Sequence, residues 1–161
     1  MKKIEFSVAV TEVENILELT PDEQRLIALS KEMTHKAYAP YSQFFVGAAV
    51  LLANGQTVIG SNQENAAYPS GLCAERVAIF SASAQYPQVD VVMVAISARS
   101  NTHNIDHPIS PCGACRQVLF EYEFKQNKPV KVLLSGESGK ILVLDKVKDL
   151  LPFTFTPDEL K

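Results

Sequence analysis

The chain has 161 residues, of which 47% are hydrophobic and 20% charged, and its formal net charge is −3. These values are typical of one globular domain, and the slight negative charge argues against a nucleic-acid-binding surface. We therefore expect a small-molecule substrate. No stretch is apolar enough for a membrane span or a secretory signal. Because the three cysteines are also an odd number, we expect reduced thiols and a cytoplasmic location.

Residues 1–15 alternate apolar and polar side chains. This period of two predicts an added edge strand or a loosely held arm. A helix is then predicted from Pro21, with Thr20 as its N-cap and Glu23 three residues after the cap. We expect this helix to run to about Tyr38, because Pro40 cannot continue it.

The rest of the chain alternates predicted strands with predicted helices. Asn54 and Gly55 form a strong hairpin signal between the first two strands. The pattern predicts an α/β fold in three layers, α/β/α, around a mixed and mostly five-stranded sheet. The predicted strands are Phe45 to Ala53, Gln56 to Ser61, Val89 to Ala98, Val130 to Ser135 and Ile141 to Leu144; the predicted helices begin at Cys73, Cys112 and Val147.

All three cysteines lie in two short motifs, each at the predicted start of a helix. Cys73 belongs to Cys-Ala-Glu-Arg, and Cys112 and Cys115 belong to Pro-Cys-Gly-Ala-Cys-Arg. The free N–H groups at a helix N-terminus favour thiolate over thiol, which zinc requires. Three thiolates leave one tetrahedral position open, as a catalytic zinc needs, and this Cys-x-Glu with Pro-Cys-x-x-Cys pattern is typical of zinc nucleobase deaminases.

Glu75 is the candidate general acid and base beside this zinc. It would accept a proton from a water that zinc acidifies and deliver it to the substrate, whereas a glutamate at a helix start is otherwise most often a surface residue. Arg76 is predicted to hydrogen-bond a thiolate ligand, and Arg116 either does the same or lies on a solvated helix surface. A fourth ligand from His103 or His107 would make the zinc structural instead.

Substrate-binding candidates lie before the first cysteine. Asn62 and Glu64 occupy a polar loop, where each either fixes a turn or contacts substrate. Phe44 and Phe45 are adjacent, so that one is expected in the core and the other as a ring on which a base stacks.

Five segments together resemble the small, homotetrameric, zinc-dependent cytidine deaminases. The resemblance covers about residues 23 to 160, so residues 1–20 are an N-terminal extension of unknown role and 21–161 a single catalytic domain. The segments are Ala39-Pro40-Tyr41-Ser42 with Phe44-x-Val46-Gly47-Ala48-Ala49, Asn62-x-Glu64-Asn65-Ala66-x-Tyr68-Pro69, Cys73-Ala74-Glu75-Arg76, Ser110-Pro111-Cys112-Gly113-Ala114-Cys115-Arg116-Gln117-Val118 and Leu150-Leu151-Pro152-x-x-Phe155-x-Pro157.

The resemblance implies hydrolytic deamination of cytidine and 2′-deoxycytidine in pyrimidine salvage, in a homotetramer with shared active sites. It implies one zinc per subunit on Cys73, Cys112 and Cys115, with Glu75 as the proton shuttle. It further implies that Asn62 and Glu64 hold the ribose 3′-hydroxyl and that Phe44 packs near the base. Backbone groups of Ala66 and Ala74 would meet the base, and Tyr68 and Phe155 would lie at contacts between subunits.

Two departures from the family pattern, Gln63 and Phe45, flank these implied substrate contacts. Three alternatives are a deaminase for a related cytosine compound such as blasticidin S, a non-catalytic module with structural zinc, and a Cys-x-x-Cys redox protein.

Overall fold

The computed structural model describes residues 1–160, which form one six-stranded mixed sheet with helices on both faces. The strand order is β1-β6-β5-β4-β2-β3, and the pair β4–β5 is parallel while the other pairs are antiparallel. Within residues 1–160, no helix combines the length and the apolar character needed to cross a membrane. The strands are β1 Thr11–Val13, β2 Phe44–Leu52, β3 Thr57–Ser61, β4 Val91–Ser100, β5 Lys131–Ser135 and β6 Ile141–Leu144; the α-helices are α1 Pro21–Thr34, α2 Ala74–Gln85 and α3 Gly113–Gln126.

The predicted three-layer architecture is confirmed, with one strand more than expected. The additional strand is β1, which lies within residues 1–20 and pairs with β6 at the edge of the sheet. Beside this pairing, Lys140 forms ion pairs with Glu12 at 2.6 Å and with Glu14 at 3.0 Å. The apolar side chains before residue 11 are exposed, so only a short part of the alternating segment becomes a strand.

Helix α1 begins where the sequence predicts and ends four residues earlier than predicted. The capping box of Thr20 and Glu23 is formed, with Pro21 in the first turn. After Thr34 the chain pairs with the polar loop instead of continuing as a helix, because the Tyr38 N–H donates to the Asn62 carbonyl at 3.0 Å and the Tyr38 carbonyl accepts from the Glu64 N–H at 2.8 Å. This pairing brings the segment after α1 beside the residues predicted to bind substrate.

Each face of the sheet has its own core. Helix α1 covers one face with Leu26 and Ile27, both fully buried, and α2 and α3 cover the other with residues such as Ile79 and Leu119. Gly60 on β3 allows α2 to approach closely, since a Cβ there would lie 2.6 Å from the Ala78 nitrogen and 2.7 Å from the Ala74 carbonyl oxygen. The absence of a side chain at this position therefore places the first turn of α2 directly against the sheet.

Helix α2 follows β3, and helix α3 follows β4. Because β3 and β4 both run antiparallel to β2, they end at the same end of the sheet, and both helices begin there. These two strands are not neighbours in the sheet, because β2 lies between them. The hairpin joining β2 to β3 places β2 there, and β4 pairs with the other edge of β2. The two helix N-termini nevertheless converge, which brings the two cysteine motifs together.

Candidate active site and metal centre

The three cysteine thiols form one cluster at the N-termini of α2 and α3. Cys73 is the N-cap residue of α2, Cys112 is the N-cap residue of α3, and Cys115 lies in the first turn of α3. Their sulfur atoms all lie within 4.8 Å of one another, and those of Cys73 and Cys112 are 3.9 Å apart. A tetrahedral zinc with bonds of about 2.3 Å separates its sulfurs by about 3.8 Å, so the cluster has the dimensions of a zinc site.

The chemistry of these donors also fits zinc. Cys115 is buried and Cys112 is exposed, so the cluster is closed on one side and open on the other. Hydrogen bonding with the Cys115 thiol, followed by hydrogen bonds from Arg76 and Cys112, lowers the pKa of Cys73 to about 5 although burial opposes this. Hydrogen bonding to Cys73 and burial raise the pKa of Cys115. A bound metal takes the place of the thiol protons, because the ligand form of cysteine is the thiolate.

No histidine joins the cluster in the part of the chain that the structure describes. His103 bonds to Thr102 and His107 to Asp106, both in the exposed loop before α3. The fourth ligand of the structural-zinc alternative is therefore not supplied by either histidine. A metal held by the three cysteines keeps one position for water or substrate, as in a catalytic zinc site.

Glu75 lies beside the thiols in the first turn of α2 and is only 4% exposed. Burial raises the pKa of its carboxyl, and the negative charge of the Cys73 thiolate acts in the same direction. Hydrogen bonds from its own backbone N–H and from the Cys115 thiol offset part of this increase. The carboxyl is thus enclosed and held close to the candidate metal ligands, where a proton-transfer group is needed.

The two arginines of the motifs have different partners. Arg76 Nη2 lies 3.6 Å from Cys73 Sγ, and its Nε is buried without a hydrogen-bond partner among the described residues. Arg116 instead donates from Nε to the Pro111 carbonyl at 2.8 Å and from Nη1 to the Leu150 carbonyl at 3.1 Å. Arg116 therefore follows neither interpretation offered by the sequence, since it anchors the loop before Cys112 to the C-terminal segment.

A cleft of about 770 Å³ extends from the thiols to the loop after α1. Glu75, Cys73 and Cys112 line one end, and Val46 and Ile96 contribute apolar walls. Four of the seven predicted substrate-binding residues line it: Phe44, Asn62, Glu64 and Tyr68. Ser42, Gln63 and Ile109, to which the sequence analysis gave no substrate role, also line it.

The other three predicted substrate-binding residues, Ala66, Ala74 and Phe155, are not among the cleft-lining residues of the described chain. Ala66 is exposed, and Ala74 is fully buried as the first residue of α2. Phe155 is 56% exposed, and its carbonyl accepts from Gln117 Nε2 at 3.0 Å. The cleft of a single chain thus brings Cys73, Cys112 and Glu75 together with four of the seven predicted substrate-binding residues.

The adjacent phenylalanines face different surroundings. Phe44 lines the cleft, and the ring of Phe45 stacks under the Arg99 guanidinium, 4.1 Å from the ring centroid. Alternation of side chains along β2 explains this, because successive residues of a strand point to opposite faces. Of the two residues that depart from the family pattern, Phe45 therefore does not line the cleft, whereas Gln63 does. Gln63 Nε2 donates to Ser61 Oγ at 3.1 Å.

Asn62 and Glu64 both hydrogen-bond to the backbone. Asn62 Nδ2 donates to the Phe44 carbonyl at 3.0 Å, and Asn62 Oδ1 accepts from the Val46 N–H at 2.8 Å. Glu64 accepts from the N–H groups of Tyr41 at 2.9 Å and Ser42 at 3.3 Å and from the Ser42 hydroxyl. Although burial opposes it, hydrogen bonding from Ser42 and Tyr41 lowers the pKa of Glu64. The two roles that the sequence left as alternatives are thus compatible, because both residues fix the loop and line the cleft.

Fold and site together define a zinc-binding α/β protein with a carboxyl group beside the metal. The family model "Cytidine and deoxycytidylate deaminase zinc-binding region" matches residues 20–129. The chain therefore belongs to this deaminase family.

Individual relatives agree with this assignment. A cytidine deaminase of Halalkalibacterium halodurans is 39% identical over 139 residues, covering 86% of this chain and 98% of the relative. A cytidine deaminase of Mycoplasma pneumoniae is 43% identical over 133 residues, covering 81% of this chain and 85% of the relative. The crystal structure of cytidine deaminase from Burkholderia pseudomallei is 39% identical with a TM-score of 0.71, covering 85% of this chain and all of that one.

Proposed function

We propose that the protein hydrolyses cytidine and 2′-deoxycytidine to the corresponding uridine and ammonia, as a step of pyrimidine salvage. The observation that carries the proposal is the convergence of three thiols and one buried glutamate at a cleft that Cys73, Cys112 and Glu75 line. Relatives covered almost completely by this chain carry the name cytidine deaminase. The size of the cleft, about 770 Å³, accommodates a nucleoside.

At the end of the cleft that Cys73 and Cys112 line, these two residues and Cys115 would hold zinc. Bound there, zinc supplies a Lewis acid that lowers the pKa of water towards ~7. The Glu75 carboxylate accepts a proton from the attacking water, delivers a proton to the ring nitrogen and then assists departure of the amine as ammonia. Because Glu75 is almost completely buried, bulk water does not compete for these protons.

At the other end, Asn62 and Glu64 hold the ribose 3′-hydroxyl, and Phe44 packs near the base. Ala74 is the first residue of α2, so its N–H has no partner within the helix, and its backbone would meet the base. The exposed backbone of Ala66 would serve the base in the same manner. Arg76 holds the Cys73 thiolate and thereby fixes one metal ligand.

We further propose that residues 21–161 are the catalytic domain of a cytoplasmic homotetramer and that residues 1–20 extend it. The exposure of Tyr68, at 76%, and of Phe155, at 56%, supports oligomerisation, since large aromatic side chains are enriched in subunit interfaces. Tyr68 also lines the cleft, so a neighbouring subunit that packs on it would complete the substrate-binding site. A mass of one chain by light scattering at micromolar concentration would contradict this arrangement.

The proposal is tested by following the loss of cytosine absorbance with cytidine and with 2′-deoxycytidine, while zinc is measured in the same samples. We expect turnover with about one zinc per chain and loss of both in Cys115→Ser, because a hydroxyl is a poor substitute for a buried thiolate ligand. His107→Gln is the matched control and should keep zinc and turnover, since His107 lies outside the cluster. Zinc-loaded protein that turns over blasticidin S as fast as cytidine, or neither compound, would overturn the proposed substrate.

A further inference from the structure

The Ser42 hydroxyl connects the sugar-binding and base-binding parts of the cleft. It donates to Glu64 Oε1 and accepts from the Phe44 N–H at 3.1 Å. The Phe44 carbonyl, in turn, accepts from Asn62 Nδ2. Both backbone polar groups of Phe44 are therefore held by cleft-lining polar side chains, and Ser42 links one of them to Glu64.

The backbone between Ser42 and Phe44 needs this support. Gln43 has a φ of 55°, in the left-handed region that residues other than glycine rarely adopt. The Gln43 N–H donates to the Ala39 carbonyl at 3.1 Å, and its carbonyl accepts from the Asn101 N–H at 3.2 Å and the Ser100 hydroxyl at 3.3 Å. The turn at Gln43 directs Phe44 into the cleft, and the Ser42 hydroxyl secures the turn from the cleft side.

The hydrogen bonds at Glu64 leave little of its acceptor capacity free. A carboxylate offers about four acceptor positions. Two backbone N–H groups occupy Oε2, and the Ser42 hydroxyl occupies one position on Oε1, so one position of Oε1 is left. Asn62 retains one N–H of Nδ2, because the other donates to Phe44. One acceptor and one donor are the complement of a single hydroxyl group, which both donates and accepts.

We propose that Ser42 is a positioning residue that makes the cleft selective for a nucleoside with a 3′-hydroxyl. Its hydroxyl directs the free acceptor of Glu64 and, through the Phe44 N–H, fixes the ring beside the base. This inference rests on the proposed function and adds a specificity determinant to it. Without the hydroxyl, Glu64 gains a second free acceptor position, the Phe44 N–H loses its partner, and sugar recognition loosens while the distant thiols and Glu75 are unaffected.

The test compares the kinetics of cytidine and 3′-deoxycytidine in the metal-loaded parent and in Ser42→Ala. We expect the KM for cytidine to rise about tenfold with kcat within about twofold of the parent, because the lost contact positions the sugar and not the reacting atoms. The kcat/KM for 3′-deoxycytidine should change by less than about threefold, so that the preference for cytidine decreases. Ser42→Thr keeps the hydroxyl and should restore the preference.

Ser100→Ala is the matched control, because the Ser100 hydroxyl bonds to the Gln43 carbonyl from the other side of the turn and makes no hydrogen bond to Glu64 or Phe44 in the described chain. We expect it to leave the ratio of the two kcat/KM values unchanged. Thermal unfolding is followed for every variant, and Ser42→Cys, which has a similar size and a weak donor, replaces Ser42→Ala if that variant does not fold. An unchanged ratio in the folded Ser42 variant, or an equal decrease for both nucleosides, would overturn this inference alone. A parent that turns over neither nucleoside would overturn the proposed function as well.

Discussion

Two glutamates of equal exposure, 4% each, lie in the first turns of two helices on opposite faces of the sheet. On the face covered by α1, Glu23 accepts from Thr20 N–H and Oγ1, both at 2.9 Å, and from Lys131 Nζ at 2.7 Å. Burial opposes ionisation of Glu23, but these hydrogen bonds prevail and its pKa is lowered. At Glu75, on the other face, burial prevails and the pKa is raised.

The nearest cations explain the difference. Lys131 reaches across from β5 and pairs with Glu23 directly. Arg76, one residue after Glu75, directs its guanidinium to the Cys73 sulfur instead. The glutamate of the α1 face is thus a satisfied structural carboxylate, whereas Glu75 keeps a capacity to take up a proton. Burial alone does not distinguish the two; the hydrogen-bond partners do.

The strongest test of this comparison is the same substitution at both positions. In Glu75→Gln we expect kcat to fall by about 10²- to 10⁴-fold with zinc retained, because the amide cannot transfer protons. In Glu23→Gln we expect kcat to be unchanged and the free energy of unfolding to fall by about 1–3 kcal/mol, because hydrogen bonds to a buried charge are lost. Steady-state kinetics, metal analysis and urea unfolding of both variants give these values.

The reverse outcome for either variant would break the comparison. A Glu75→Gln protein that keeps its kcat at equal zinc content would mean that another group transfers the protons and that Glu75 is a structural carboxyl like Glu23. A Glu23→Gln protein that loses kcat without losing stability would give Glu23 a role in the reaction, although it lies on the face opposite the cleft.

The two cations provide a second, smaller test. Arg76→Gln removes the donor to the Cys73 thiolate, and we expect zinc affinity to fall about 10- to 100-fold, as for other groups that support a metal ligand. Lys131→Gln removes the partner of Glu23 and should lower stability without changing zinc affinity. Competition with a zinc-binding dye measures the affinity, and equal zinc affinity in both variants would contradict a supporting role for Arg76.

The sequence predicts the parts of this molecule that depend on neighbouring residues. The Thr20–Glu23 cap, the hairpin at Asn54 and the helix starts at Cys73 and Cys112 each rest on a few adjacent positions. The thiol cluster is predicted by the pattern of the two cysteine motifs. The two-residue period of the N-terminal segment also predicts an edge strand, although it does not show how much of the segment finds a partner.

Features that depend on contacts between distant residues could not be predicted from the sequence. The pairing of Tyr38 with the polar loop shortens α1, and Arg116 bonds to a carbonyl 34 residues further along the chain. The sequence does not predict the hydrogen bond between Ser42 and Glu64, because it forms only when folding places the polar loop beside the start of β2. Lys131, the partner of Glu23, lies 108 residues further along the chain. The opposite directions of the pKa shifts of Glu23 and Glu75 could therefore not be predicted from the sequence.

The smallest effect, and the one most specific to Glu23, is the pH dependence of stability. Because the pKa of Glu23 is lower in the folded than in the unfolded chain, its contribution to the free energy of unfolding is complete above the unfolded pKa, about 4.3. This contribution is lost as the pH falls through the lower folded pKa. We therefore expect the stability difference between the parent and Glu23→Gln to be constant from pH 7 to about pH 5 and to shrink below that.

Urea unfolding at several pH values between 7 and 3 measures this difference. Release of zinc from protonated thiols at low pH destabilises both proteins equally, so it cancels in the comparison. Lys131→Gln should show a weaker version of the same loss, because the Thr20 hydrogen bonds to Glu23 persist. Parallel stability curves for the parent and Glu23→Gln down to pH 3 would mean that ionisation of the Glu23 carboxyl contributes nothing to the free energy of unfolding. Glu23 and Glu75 would then differ only in whether they take part in the reaction.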